Sequence, residues 1–229
     1  MDLTSGMGFP ALDHAVRGDR IARAAVRLAG TEAALRKSAL SHSLHLDAPL
    51  PAPGVATIWV ELKPWSLTLT PEQVTEYLDE IGAKETIGPL WSRIPEPKQW
   101  RETYRKHAKT YVRVGDAAGD ESWRTPVGMP LELVPESDPT ALRSGDVLRL
   151  KLLRGGAPLA GVALTALYEG AKQRLSQQTD VEGRASFALD AAGAWLLAAT
   201  DLRQATGGEW ESDFATLTIR VQVPTPKAP

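Results

Sequence analysis

The chain has 229 residues, a formal net charge of -2 and no cysteine. Without cysteine it can form no disulfide, no thiolate metal site and no cysteine nucleophile. Its lysines and arginines form no dense stripe, which argues against a nucleic-acid partner. Because the length exceeds that of a typical domain of roughly 100–150 residues, we expect two compact units.

Hydropathy patterning bears on membrane insertion and export. No apolar run approaches the ~20 residues that a helix needs to cross a bilayer, so the sequence predicts no transmembrane segment. Residues 1–6 lack the basic and apolar regions of a signal peptide, and none is expected in the chain as it stands.

Residues 1–70 have the pattern of a β-rich region. The extended candidates are residues 21–28 and 55–69, and residues 48–54 between them are punctuated by proline and glycine. Residues 31–39 fit either a short helix or an irregular strand, and both alternatives stay open. We predict an N-terminal β-sandwich over residues 1–70.

A helical linker segment is predicted over residues 71–111. Thr70 supplies an N-cap, Pro71 a first-turn proline and Gln73 a capping-box partner, and apolar residues follow at helical spacing. A second helix is predicted over residues 97–111, with aromatic and apolar side chains on one face and basic side chains on the other.

Residues 112–224 present short strands separated by turns, as in a β-sandwich. Asp180 is suited to begin one turn and Gly183 to take a positive φ in it. We therefore predict a C-terminal Ig-like sandwich over residues 112–224 and a disordered tail over residues 225–229. The strand candidates are residues 111–114, 131–134, 147–153, 161–168, 174–179, 184–189, 194–202 and 214–223.

Two resemblances extend this fold prediction. The turns at residues 158–162, 179–184 and 192–195 make the C-terminal region similar to a transthyretin-like, carboxypeptidase-regulatory β-sandwich. Most of the chain also resembles a bacterial periplasmic family of unknown function, formerly filed as NikM-like nickel-uptake proteins. The segments that match this family are residues 111–115, 128–135, 138–139, 144–146, 179–180, 210–212 and 215–217.

The family resemblance implies a mainly β fold of two Ig-like β-sandwich domains joined by a short helical segment. It also implies an exported, non-catalytic accessory or binding protein that assists nickel or cobalt uptake in the periplasm. Its partner would be a membrane transport or receptor component. Because family members usually have a signal peptide and a first strand ahead of the segment that begins here, we expect the N-terminal sandwich to be truncated at its start.

A transition-metal site is the first candidate for chemistry. His42 and His45 are close in sequence, but this spacing puts them on opposite faces of a strand and together only in a turn or helix. Glu209 and Glu211 flank a predicted hairpin, and Asp201 occupies a position where many family members have a histidine. The alternatives are solvated loop histidines and a charged hairpin loop.

Other chemistries have weaker signals. Trp123 lies in a polar loop and is the one tryptophan predicted to be exposed, where it would offer a stacking platform for a saccharide. Ser41, His42 and Asp47 are triad residue types without a nucleophile elbow, so the chain is not expected to be an enzyme. The alternative to metal uptake is a structural or interaction module that binds a protein or saccharide without metal.

Overall fold

The structure is a computed structural model that describes residues 1–6, 8–206 and 208–224. It is mainly β, as the sequence predicted, with two α-helices among the described residues. The helices are α1 (Pro71–Glu80) and α2 (Lys84–Ser92). The strands are β1 (Asp2–Ser5), β2 (His14–Ala15), β3 (Ile21–Leu28), β4 (Thr31–Ala34), β5 (Arg36–Ala39), β6 (Leu44–Asp47), β7 (Gly54–Leu62), β8 (Trp65–Leu69), β9 (Trp100–Val114), β10 (Leu131–Pro135), β11 (Val147–Arg154), β12 (Ala157–Pro158), β13 (Ala163–Tyr168), β14 (Leu175–Gln178), β15 (Arg184–Ala188), β16 (Gly193–Gln204) and β17 (Trp210–Val221).

The disordered tail predicted for residues 225–229 lies outside the described residues. Neither described helix has the length and apolar character that a membrane span requires.

Helix α1 forms where its capping signals predict it. The Gln73 backbone N–H donates to Thr70 Oγ1 at 3.3 Å, and the Thr70 N–H donates to Gln73 Oε1 at 2.9 Å. This reciprocal capping box satisfies two backbone donors at the helix start, and Pro71 needs no partner there. Val74 and Leu78, four residues apart, are the buried positions of the helix.

One long sheet runs in the order β14-β13-β16-β17-β9-β7-β3-β4. Strand β9 is central to it, because β8 pairs with its first part, β7 with its second part, and β17 runs parallel along its other edge. Strands from both predicted β regions therefore belong to the same sheet. The hydrogen bonding does not separate two sandwiches at residues 71–111.

The helix predicted for residues 97–111 is wrong, because strand β9 occupies most of this segment. Burial switches faces along the strand: Trp100 and Glu102 are buried on one face near its start, and His107, Lys109 and Tyr111 on the other face near its end. Successive side chains of a strand alternate between faces. A change of buried face halfway along breaks the period of two and leaves apolar residues at spacings that resemble a helix.

The helices cover the start of β9 through an aromatic core. The Trp100 and Trp210 rings stack with centroids 4.3 Å apart, and Trp91 from α2 meets Trp100 edge-on at 5.5 Å. Glu102 is buried beside them and accepts hydrogen bonds from Trp100 Nε1 at 2.8 Å and from the Tyr77 hydroxyl of α1 at 3.0 Å. The buried carboxylate is therefore hydrogen-bonded, as burial of a polar group requires.

A second sheet, β10-β11-β12 with β15 paired to β11, packs on the C-terminal part of the long sheet. The core between them includes Leu150, Trp195 and Leu217, so Trp195 is a core residue as expected. The predicted turn before β15 is confirmed. Asp180 Oδ1 accepts from two backbone N–H groups of this turn, and Gly183 has φ +73°.

A third sheet, β2-β1-β6-β5, packs near the N-terminus against β3 and β7. Leu46 from this sheet shares a core with Val26 and Val60 of the long sheet. The stretch 31–39 is two strands, because β4 extends the long sheet whereas β5 pairs with β6. Buried Leu35 lies at the crossing between the two sheets.

A buried ion pair joins β9 to β10. Lys109 Nζ lies 2.6 Å from Glu132 Oε1, and both side chains are 1% exposed. Glu132 also accepts from the backbone N–H groups of Val127 and Gly128. Burial lowers the pKa of Lys109 to about 8 even though the Glu132 charge acts in the opposite direction. The pair fixes the loop ahead of β10 against the long sheet.

We expect Glu132→Gln to lower the free energy of unfolding by about 3–5 kcal/mol, because it leaves the Lys109 ammonium buried without a counter-charge. Lys109→Met in the same chain should restore part of this loss. Urea denaturation followed by tryptophan fluorescence measures both. Glu121→Gln, in an exposed pair with Arg124, is the control and should change little. A Glu132→Gln variant as stable as this control would show that the pair does not hold the fold.

Candidate functional site

A cleft of about 450 Å³ lies between the N-terminal strand β1 and one face of the long sheet. Its wall comes from β1 and residues 9–12, and its floor comes from β7, β9, β16 and β17. Its volume is within the range of small-molecule sites. The floor includes Lys106, Ala108, Ala194, Leu196, Phe214 and Thr216.

The floor is open because of side-chain alternation and small residues. Phe214 pairs with Lys106 and Thr216 with Ala108 across the parallel strands β17 and β9, so these side chains share one face. Asp213 and the other odd-numbered residues of β17 point to the opposite face. The helices cover Trp100, Leu202 and Trp210 on the cleft side of the sheet, and the N-terminal sheet covers β3 and β7. Between these covers the threonine and alanine side chains leave space.

Lys106 is the charged residue of the floor. Its side chain is exposed, and its Nζ stands 5.6 Å from the Tyr104 ring centroid and 5.8 Å from that of Phe214. Desolvation by surrounding protein atoms lowers the pKa of Lys106, and the charge of Arg20 lowers it further, whereas Glu80 acts in the opposite direction. Among the described residues no carboxylate forms a salt bridge with Lys106.

A second groove of about 510 Å³ adjoins the cleft and shares Lys106 with it. The Arg20 guanidinium lies 4.3 Å above the Trp65 ring and donates to a backbone carbonyl, that of Lys63, at 2.9 Å. Arg17 in the same groove is paired with Asp19. Lys106 and Arg20 therefore give this end of the site a positive charge that no described carboxylate neutralises.

A charge cluster lies under the floor, on the opposite face of β9 and β17. Asp213 Oδ1 is 3.0 Å from His107 Nε2 and 3.0 Å from Arg105 Nε, and Asp213 Oδ2 is 2.9 Å from Arg203. Burial alone would raise the pKa of Asp213. The hydrogen bond with His107 and the charges of Arg105 and Arg203 outweigh it, so the pKa lies below 3.8. The carboxylate is thus held ionised inside the protein.

The candidate ligand Asp201 belongs to the same set of charges. It is 5% exposed, and its carboxylate lies 3.2 Å from Arg154 and 3.0 Å from Arg203. Glu211 Oε2 is 3.4 Å from Arg203 as well. The structure therefore brings Asp201 and Glu211 to one arginine, and cations already occupy the positions beside both carboxylates.

The remaining metal candidates lie apart from Asp201. His45, on β6 of the N-terminal sheet, is 3.2 Å from Asp2, and His42 is exposed in the bend before that strand. Glu209 is exposed ahead of β17. Within residues 1–6, 8–206 and 208–224, no three histidine, aspartate or glutamate side chains converge in a way that could hold a metal ion.

The expected exposure of Trp123 is wrong. Its side chain is 3% exposed, and its indole N–H donates to the Asp120 carbonyl at 2.9 Å. The surrounding loop is polar, but the ring joins the C-terminal core beside Tyr111. Burial in this core removes the ring as a stacking surface. The exposed tryptophan is Trp65, at 57%.

Sequence reasoning missed the residues that form the cleft. Lys106 lies on the basic face of the helix predicted for residues 97–111. A lysine on a solvated helix face gives no signal of a binding site. Arg20 and Trp65 lie far apart along the chain and meet only in the fold. One signal was visible: from Ala215 to Ile219, β17 alternates between core residues and threonines, which marks a face without a packed partner.

Comparison with known proteins assigns the chain to a family. The family model described as a domain of unknown function, DUF4198, matches residues 2–201. The chain belongs to this family. A search of curated proteins finds no match. The DUF4198 match covers β1 to β15 and most of β16, so it includes the cleft wall and the strand that bears Lys106, whereas β17 follows the matched region.

The Asp213 cluster predicts how the stability of this DUF4198 chain depends on pH. Because the folded-state pKa of Asp213 lies below its ordinary 3.8, ionised Asp213 stabilises the fold above pH 3.8, and that contribution is lost as the pH falls below 3.8. We expect Asp213→Asn to lower the free energy of unfolding by about 3 kcal/mol at pH 7. The difference in the free energy of unfolding between this variant and the unsubstituted protein should become smaller toward pH 3.

Urea denaturation at pH 7, 5 and 3 measures this gap. Exposed Glu209→Gln is the matched control and should follow the unsubstituted protein at each pH. A gap for Asp213→Asn that stays constant from pH 7 to pH 3 would contradict the assigned role of the ionised carboxylate.

Proposed function

We propose that the protein is a non-catalytic binding protein that takes a small ligand with an apolar body into the cleft between β1 and the long sheet. The observation behind this proposal is the uncovered floor, where Ala194, Leu196 and Thr216 lie between two covered parts of the same sheet face. An apolar group placed there would remove this surface from water, which contributes roughly 25 cal/mol per Å² of apolar area.

The groups beside the cleft support binding rather than chemistry. The His107 side chain is 1% exposed and its Nε2 faces Asp213 on the far side of the sheet. The Thr216 hydroxyl donates to the His107 backbone carbonyl at 3.2 Å. General base catalysis needs a base within hydrogen-bond reach of a reacting group. His107 lines the cleft, but its imidazole is buried and its Nε2 is engaged with Asp213. We therefore assign the site a binding role.

The family resemblance supports further parts of the proposal. We infer an exported protein of the periplasm, NikM-like in ancestry, with Ig-like sandwiches of which the C-terminal one is transthyretin-like. The confirmed Asp180 turn and the core between β11 and β16 are consistent with such a sandwich. Assistance to nickel or cobalt uptake, with a membrane transport or receptor component, rests on the resemblance alone. The ligand cleft has the stronger geometric support.

Filling the cleft should weaken ligand binding. We expect the neutral probe N-phenyl-1-naphthylamine to gain fluorescence with the unsubstituted protein, and Thr216→Phe to weaken this binding about tenfold, because the ring occupies the floor. Thr165→Phe is the matched control. Thr165 is also a half-buried threonine that donates to a backbone carbonyl of the same sheet, but it lies outside the cleft. If Thr216→Phe and Thr165→Phe bind the probe equally well, the cleft is not the binding site.

Metal handling has its own test. Native mass spectrometry of metal-stripped protein titrated with Ni²⁺, Co²⁺, Zn²⁺ and Cu²⁺ measures metal uptake. We expect Asp201→Ala and the unsubstituted protein to take up the same amount of metal, because Arg154 and Arg203 already engage this carboxylate. His45→Ala tests the Asp2–His45 pair in parallel. Stoichiometric uptake that Asp201→Ala removes would instead establish metal handling.

A further inference from the structure

We propose that the ligand of the cleft is an amphipathic anion, a carboxylate with an aliphatic tail. Lys106 and Arg20 would receive the carboxylate, and the tail would lie along Ala194 and Leu196. This inference rests on the proposed function and specifies the chemistry of its ligand.

The two grooves form one site with chemically different ends. Both are lined by Ser5, Val16, Leu62 and Lys106, so they meet at the lysine. On one side of this junction the floor continues over aliphatic and small residues of β16 and β17. On the other side lie Arg20 and the aromatic rings of Tyr104 and Trp65. A ligand that spans the junction meets an apolar surface first and cations second.

The charges at the junction favour an anion. Each nearby carboxylate already has a partner, since Asp19 is paired with Arg17, and Glu80 lies 3.3 Å from Arg174. Lys106 and Arg20 have no such partner among the described residues. Desolvation lowers the pKa of Lys106, and repulsion from the positive charge of Arg20 lowers it further. A carboxylate between them would relieve this repulsion and form charge-assisted hydrogen bonds.

The opposite end of the cleft sets the orientation. Asp2 lines that end, and its carboxylate accepts from Ser43 at 3.1 Å and lies 3.2 Å from His45. The negative charge of Asp2 repels the carboxylate of a ligand at that end of the cleft. An anionic head group is therefore directed to Lys106, and the tail toward Leu196.

A cationic ligand fits the site poorly. The faces of Tyr104 and Phe214 are the aromatic surfaces that would hold a cation, and the Lys106 ammonium already lies near both. Arg20 lies over the ring of Trp65. At any of these three rings, a second cation would have to displace one of these charges.

Octanoate and 1-octanol test the proposal, because they share a tail and differ in the head group. We expect isothermal titration calorimetry at pH 7 to show that the unsubstituted protein binds octanoate more tightly than octanol. Lys106→Met should weaken octanoate binding about tenfold and leave octanol binding within about twofold. Lys106→Arg should keep the preference for octanoate, since it keeps the charge.

Lys37→Met, at an exposed lysine of β5, is the control for loss of one positive charge and should bind octanoate like the unsubstituted protein. Thermal melts of all variants establish that they are folded. The carboxylate assignment would be overturned if octanol bound as tightly as octanoate, or if Lys106→Met kept the full preference for octanoate over octanol. Either result would still be compatible with ligand binding in the cleft. Failure of both molecules to bind the unsubstituted protein would overturn the carboxylate assignment together with an aliphatic ligand in the cleft.

Discussion

Strand β9 is buried on one face at its start and on the other at its end, and the rest of the molecule is arranged around this change. Near Trp100 the helices cover the even-numbered side chains, whereas near Tyr111 the second sheet covers the odd-numbered ones. Between these regions the even-numbered face loses its cover. Lys106 and Ala108 lie there, so the cleft is a direct consequence of the change in buried face.

The elements that sequence analysis predicted well are those whose signals are local. Helix α1 depends on Thr70 and Gln73, which are three residues apart and bond each other, and the Asp180 turn is equally self-contained. The nature of β9 depends instead on β7, β17 and the helices, which are remote in sequence. The predicted exposure of Trp123 is wrong for the same reason, because its neighbours in sequence are polar and its neighbours in the fold form a core.

The candidate site shows the same division. The nearness of Asp201 and Glu211 follows from a hairpin and is visible in the sequence, but the sequence does not show which arginines engage them. Arg154 reaches Asp201 from a different strand, 47 residues away along the chain. A sequence displays carboxylates as potential ligands, and only the fold shows which of them already have a counter-charge. Lys106 is the opposite case, because only the fold shows that this cation has no paired carboxylate among the described residues.

The long sheet also sorts charges between its two faces. Arg105 and His107 flank Lys106 in sequence, yet alternation directs both to the opposite face, where they pair with Asp213. Arg203 adds a further positive charge to that carboxylate. Asp213 is thus neutralised beneath the floor and leaves the positive charge of Lys106 uncompensated above it. Because of this separation, the part of the cleft floor formed by β9 and β17 carries only the positive charge of Lys106. This charge gives an anionic ligand a counter-charge that the protein itself does not use.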